Sequence, residues 1–121
     1  TFAISHSLLY PERGACVCEP LDFTKAVSID FAPPDTDRFP CLRHAYNALK
    51  KGGTATAVFN ASNEVAVAEF IKGRLPWIKI ADVIEKTLDA VETKDPQTLD
   101  DILADDALAR IRAAEIIAAM A

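Results

Sequence analysis

A chain of 121 residues, half of them hydrophobic, suffices for one globular domain with a buried centre. Eighteen acidic against thirteen basic residues leave a net charge of −5, which argues against nucleic acid and anionic membrane surfaces as partners. No apolar run approaches the ~20 residues of a membrane-spanning helix.

The chain opens at Thr1 inside an apolar stretch, and we expect it to be part of a longer polypeptide. Ile4 to Tyr10 predicts a short helical turn stopped by Pro11, and Ala15 to Cys18 a brief strand. Ala26 to Phe31 alternates, with Val27, Ile29 and Phe31 on one face, the pattern of a half-buried strand. One good strand and one poor one cannot form a stable sheet, so residues 1–31 want a sheet supplied from elsewhere. Residues 32–40, with Pro33 and Pro34, form a stiff linker arm. Asp37 or Phe39 then leads into a helix with Pro40 in its first turn.

From 41 to 121 the pattern is helical, and the fold class is mainly α: a small bundle of about four helices. Leu42, Ala45, Tyr46 and Leu49 make an apolar stripe that ends at Gly52-Gly53. A second helix runs to Gly73. Ile80, Val83, Ile84, Thr87, Leu88 and Val91 form the clearest stripe, with Asp82 spaced to pair with Lys86. Beyond Pro96, Leu99, Ile102 and Leu103 suggest a short helical stretch. Asp105 or Asp106 is placed to cap a last helix bearing Leu108, Ile111, Ala114 and Ile117.

The second helix carries the most unusual pattern, Phe59-Asn60-Ala61-Ser62-Asn63-Glu64-Val65-Ala66-Val67-Ala68. Asn60, Asn63, Glu64, Val67 and Ile71 share one face, while the other faces are apolar, as in a central, buried helix. Two readings fit such a stripe. It could face a ligand, or it could clamp a neighbouring backbone segment, because an unpaired buried polar group costs about 1–3 kcal/mol. We expect the clamp. The Pro33–Pro40 arm, or the turn after the first helix, is its expected target, with Arg38 as the cation for Glu64 and Asp35 completing a structural cluster.

Catalytic signatures are scarce. There is no glycine-rich nucleotide loop, nucleophile elbow or H-E-x-x-H motif. His6 has no neighbouring nucleophile or acid, and the paired acids sit at turns, where carboxylates cap N–H groups. Cys16, Cys18 and Cys41 lack the histidine spacing of a zinc site and read as reduced apolar fillers. From the residues alone we expect no catalytic, cofactor-binding or metal site in this chain.

Several strings nevertheless resemble one family in order and spacing. They are His6 with Tyr10-Pro11-Glu12-Arg13, then Pro20-Leu21-Asp22-Phe23, Phe31-Ala32-x-Pro34-Asp35-x-Asp37-Arg38-Phe39-Pro40-Cys41-Leu42, and Asn60-Ala61-x-Asn63-Glu64-Val65-Ala66-Val67. Together they are similar to the C-terminal third of 1-deoxy-D-xylulose 5-phosphate reductoisomerases. The resemblance implies an enzyme that rearranges its substrate and reduces it with NADPH, using Mg2+ or Mn2+, to 2-C-methyl-D-erythritol 4-phosphate in non-mevalonate isoprenoid synthesis. It also implies that the NADPH-binding, metal-binding and substrate residues lie upstream of the matching stretch. Residues 1–31 would then be the tail of an α+β catalytic domain, 32–40 the arm, and 41–121 a supporting bundle. The parent would be a homodimer in bacterial cytoplasm or plastid stroma, the remainder of the same enzyme would be this piece's partner, and this piece would bind no cofactor. A free-standing helical protein-interaction module is the alternative.

Overall fold

The computed structural model describes residues 2–12, 14–15, 22–26 and 28–120. Its backbone divides into two compact units, Thr1–Pro33 and Pro34–Ala121. The division falls between the paired prolines of the expected arm.

The first unit holds one helix, α1 (Phe2–Leu9). Ser7 Oγ donates to the Ala3 carbonyl at 2.8 Å, and the rings of His6 and Tyr10 meet edge-on at 5.8 Å. Asp22 closes a turn by accepting from the Thr24 amide at 3.0 Å and its hydroxyl at 2.6 Å. The strand expected at Ala26–Phe31 does not form over its described residues, Ala26 and 28–31. An extended segment becomes a strand only by hydrogen bonding to a neighbour, and no second strand exists among the described residues. Val27 and Cys16–Cys18 of the other expected strand lie outside the described residues.

The second unit opens with a turn built on Asp35. Its carboxylate accepts from the amides of Asp37 and Arg38 at 3.1 and 2.9 Å, and its carbonyl accepts from Phe39 N–H at 2.9 Å. Asp37 in turn accepts from Arg43 Nη1 at 2.8 Å. Helix α2 (Pro40–Lys51) starts on Pro40, whose missing N–H would have been unpaired in any case. Helix α3 (Ala55–Ile71) ends with Gly73 at φ 72°, while Arg74 N–H reaches back to Glu69 O and Gly73 N–H to Phe70 O, both at 2.9 Å. That pair of bonds is a Schellman cap, which satisfies two terminal carbonyls. A single 3-10 turn (Trp77–Lys79) feeds α4 (Ile80–Ala90). Lys79, not Lys86, pairs with Asp82, at 2.7 Å.

Helix α5 (Leu99–Ala118) is continuous, which corrects the expected break before a last helix. Thr98 and Asp101 form a reciprocal capping box at its start, so the helix begins almost two turns before Asp105. Asp105 thus lies in the helix body, on the buried line Asp105, Ala109, Ala113 and Ile117. Leu108 and Ile111, expected inside, are largely exposed. The reason is packing: α3 meets α5 through small residues, with Ala61 in the cluster of Ala109 and Ala66 in that of Ala113. Close approach of two backbones at Ala109 and Ala113 leaves no room there for Leu or Ile, and only at the far end does Ile117 fit.

Helix α3 packs against α2, α4 and α5. The α4 stripe behaves as expected, with Ile80, Val83, Ile84, Thr87 and the following Val91 buried and Leu88 packed beside them. Helix α2 does not: it buries His44 and Ala48, and its stripe of Leu42, Tyr46 and Leu49 faces away from the bundle.

One tie fastens three of these pieces. Gly53 turns at φ 56° so close to the α4–α5 loop that an added Cβ would lie 2.5 Å from the Lys94 carbonyl oxygen. Thr54 N–H donates to that oxygen at 3.0 Å, Lys94 N–H donates to Thr54 Oγ1 at 3.3 Å, and Thr54 Oγ1 donates to buried Asp105 at 2.6 Å. Gly53→Ala should therefore lower the stability of the chain by about 2–3 kcal/mol, from a strained φ plus a backbone clash. Gly52→Ala meets open space, but φ 75° with ψ −160° is a region essentially restricted to glycine, so it should cost about 1–3 kcal/mol from backbone strain alone. Urea unfolding of both variants checks this, and a loss below about 1 kcal/mol for Gly53→Ala would remove the clash as a cause.

Candidate functional site

The polar stripe of α3 lies on its outward side. Ala55, Val58, Ala61, Ser62 and Ala66 turn toward the core, so Asn60 and Glu64 are exposed and Asn63 is half-buried. The expectation of a buried stripe fails because α3 packs through its opposite side, the small buried residues and Val58 with Phe59 and Val65 beside them. Glu64 accepts from Asn60 Nδ2 at 3.0 Å, one turn away, and from Arg110 Nη2 of α5 at 2.7 Å. Arg110 also holds Asp106 through Nε at 2.7 Å. Hydrogen bonds from Arg110 and then Asn60 hold the Glu64 carboxyl below the ordinary carboxylate range, and Asp106 and Glu64 raise the Arg110 guanidinium further.

Glu64 thus takes its cation from α5, not from the arm. Arg38 donates its amide to Asp35 and lays its guanidinium over the Phe39 ring at 5.6 Å. Of the five residues expected to form one cluster, Asn60 and Glu64 meet at the α3–α5 seam, while Arg38 and Asp35 build the turn before α2. Asn63 makes no side-chain hydrogen bond within the described residues. Arg110 could have been suspected from its i, i+4 spacing to Asp106, which places a cation on α5. Its contact across 46 residues had no local signal.

Two further polar groups border hollows. Glu69 pairs with Arg74 and Lys72, its bonds to Arg74 Nη2 and Lys72 Nζ measuring 2.7 and 3.1 Å. Glu69 and Arg74 flank an open groove of about 360 Å³ lined by Val65, Ala114, Ile117 and Ala118. A smaller hollow of about 180 Å³ between α2 and α4 is bordered by His44, Asn47, Lys51, Glu85 and Asp89. Among the described residues no three His, Cys, Asp or Glu side chains converge as a metal ion would require. Burial pushes the Cys41 thiol up, away from the thiolate form that attacks electrophiles or binds metals. His6 lies on α1 against Tyr10, with no acid or nucleophile hydrogen-bonded to it among the described residues.

These features define a class: a small helical-bundle domain whose clustered charges are already satisfied by one another. A carboxylate gripped by a guanidinium is a poor general base, because its proton affinity has been lowered. Comparison with known proteins supplies the family. The DXP reductoisomerase C-terminal domain family matches residues 1–112, and the chain belongs to it. It is 47% identical over 118 residues to the 1-deoxy-D-xylulose 5-phosphate reductoisomerase of Nitrosospira multiformis, covering 98% of this chain and 30% of that protein. The Burkholderia multivorans reductoisomerase is 48% identical over 115 residues, covering 95% of this chain and 29% of its own. The chain therefore spans about three-tenths of the length of the curated relatives it matches. Among solved structures, the Zymomonas mobilis reductoisomerase in complex with NADPH superposes with a TM-score of 0.82 at 43% identity, covering 96% of this chain and 31% of that one. A DOX-P reductoisomerase in complex with NADPH, fosmidomycin and magnesium gives 0.86 at 31% identity, covering 98% and 31%.

Two outcomes test the site as described. Arg110→Met should lower stability by no more than about 1 kcal/mol, since the cluster is solvent-exposed, and Asn63→Ala by less than about 0.5 kcal/mol. A loss above about 2 kcal/mol for Asn63→Ala in urea unfolding would show that the side chain has a buried partner.

The second concerns acid. Glu69 is held at about 2, below its ordinary 4.5, first by Arg74 and then by Lys72. The unfolded chain takes up this proton at the higher pH, so the contribution of Glu69 is complete above 4.5 and is lost as pH falls toward 2. Urea midpoints should fall less steeply for Glu69→Gln than for the unaltered chain between about pH 6 and about pH 2.5. Parallel curves would remove Glu69 from the acid response.

Proposed function

We propose that this chain serves as the C-terminal helical domain of a 1-deoxy-D-xylulose 5-phosphate reductoisomerase, and that its part in that enzyme is structural. The observation that carries this is the continuous match across residues 1–112 together with its share of about three-tenths of each relative. The whole enzyme rearranges 1-deoxy-D-xylulose 5-phosphate and reduces it with NADPH, assisted by a divalent metal, to 2-C-methyl-D-erythritol 4-phosphate. Neither group fits the described residues of this chain: no carboxylate set gathers for a metal, and no glycine-rich turn opens a helix toward a pyrophosphate. In this reading both are held by the part of the enzyme outside this chain.

Within this reading, residues 1–31 are the tail of the catalytic domain, with Val27–Phe31 pairing onto a sheet outside this chain, 32–40 are the arm, and 41–121 are the bundle. Asn60, Asn63 and Glu64 act as structural groups, with Asp35 and Arg38 shaping the entry to α2. The enzyme works as a homodimer in bacterial cytoplasm or plastid stroma, without nucleic acid or membrane. No helix among the described residues is long and apolar enough to cross a bilayer.

The test is a chimera in which this chain replaces the matched 30% of the Nitrosospira multiformis protein. Substrate-dependent NADPH oxidation should appear in the chimera, with magnesium or manganese present, and be absent from the 121-residue chain alone. A chimera that folds yet shows no turnover would refute the assignment. Turnover by the chain alone would refute its structural role.

A further inference from the structure

Helix α2 has its apolar stripe on the wrong side for its own bundle. His44 and Ala48 face inward, whereas Leu42, Tyr46 and Leu49 are 38, 64 and 67% exposed, and Phe39, just before the helix, is 49% exposed. Leu42, Tyr46 and Leu49 fall at i, i+4 and i+7, one continuous line along the helix. An aligned row of large apolar groups is a contact surface, unlike single exposed leucines.

The charges around the line select what covers it. Arg38, Arg43 and Lys50 flank it, Arg43 also bonded to Asp37, and no Asp or Glu occurs between Asp37 and Glu64. Two copies docked through this face about a two-fold axis would bring these cations together at the rim, where like charges repel. A second copy is therefore disfavoured, and a cover with acidic groups around an apolar centre is favoured. About seven-tenths of each relative's length lies outside the match. Helix α2 also begins directly after the arm, so a polypeptide attached through that arm is held at high effective concentration beside it.

We propose that the Leu42–Tyr46–Leu49 line is the face on which this domain docks against the unmatched portion of the reductoisomerase, through an apolar, acid-rimmed surface of that portion. The proposal rests on the functional reading above, and its test separates the two.

Leu49→Cys is introduced into the 121-residue chain and into the Nitrosospira multiformis chimera, and the rate of maleimide labelling at position 49 is followed by peptide mass mapping. Labelling should be fast in the chain and at least about tenfold slower in the chimera, as for a residue at the dry centre of an interface. Adding Tyr46→Glu should restore fast labelling in the chimera. Because Tyr46 is exposed in this domain, the far-ultraviolet circular dichroism of the free chain should not change. Equally fast labelling in both proteins overturns the proposal. So does protection in the free chain accompanied by a doubled mass in sedimentation, which would make a second copy the cover. An active chimera with position 49 open overturns the docking face and leaves the functional assignment standing. A folded, inactive chimera with position 49 protected overturns that assignment and supports the docking face.

Discussion

The bundle depends on one junction, where Gly53 and Thr54 meet the carbonyl of Lys94 and the carboxylate of Asp105. A carboxylate inside an apolar seam is costly unless its oxygens are paired. Here a hydroxyl donates at 2.6 Å and the Lys94 ammonium stands 4.0 Å away. Thr54 spends its hydroxyl on Asp105 as donor and on Lys94 N–H as acceptor, so one side chain ties the start of α3 to the loop and to α5. Sequence distance makes the tie effective: Thr54 and Asp105 are 51 residues apart, and joining them fixes how α5 returns across α3. Gly53 is the steric condition for it, because any side chain there would push the loop away.

From that junction the α3–α5 seam follows. Asp105, Ala109, Ala113 and Ile117 repeat every four residues, so the line that begins at the tie continues through two alanines to an isoleucine at the far end. Small residues on both helices let the backbones approach, and the stabilisation comes from many short contacts over little area. On the outer edge of the same seam Arg110 joins Glu64 to Asp106. Being exposed, that cluster adds little energy.

What the sequence disclosed, and where it misled, follow from one rule: periodicity finds a face but not the direction in which the face points. Helix α4 was legible because its large residues, Val83 and Ile84 among them, are also its buried ones. Gly52-Gly53, Pro40 and Gly73 were legible because each imposes a backbone geometry regardless of context. Helices α2 and α5 were misread for a shared reason: their buried positions are small or polar, His44, Ala48, Asp105 and Ala109, while Tyr46, Leu49 and Ile111 lie outside. A hydrophobicity count gives those alanines less weight than the leucines beside them. The Asn60–Glu64 stripe misled in the converse way. Its apolar surroundings suggested burial, yet an alanine such as Ala68 faces water at modest cost. The alternating Ala26–Phe31 pattern forms no strand over its described residues, because a strand is a relation between two segments and one sequence window cannot contain both.

These errors share a direction, and the direction bears on how α2 is held. Helix α4 buries five of its eleven residues, whereas α2 buries two of twelve, His44 and Ala48, with Cys41 packed partly against the core. By area, α2 is therefore the less anchored of the two, and it opens locally at lower free energy than α4. Its ends counter this: the Asp35 turn and Pro40 fix its start, Gly52 ends it, and Lys50 and Lys51 suit the negative end of its dipole. The helix is specified by its caps more than by its packing. In the docked arrangement proposed for α2, the row of large apolar residues left outside this bundle would supply the packing that its two buried side chains do not.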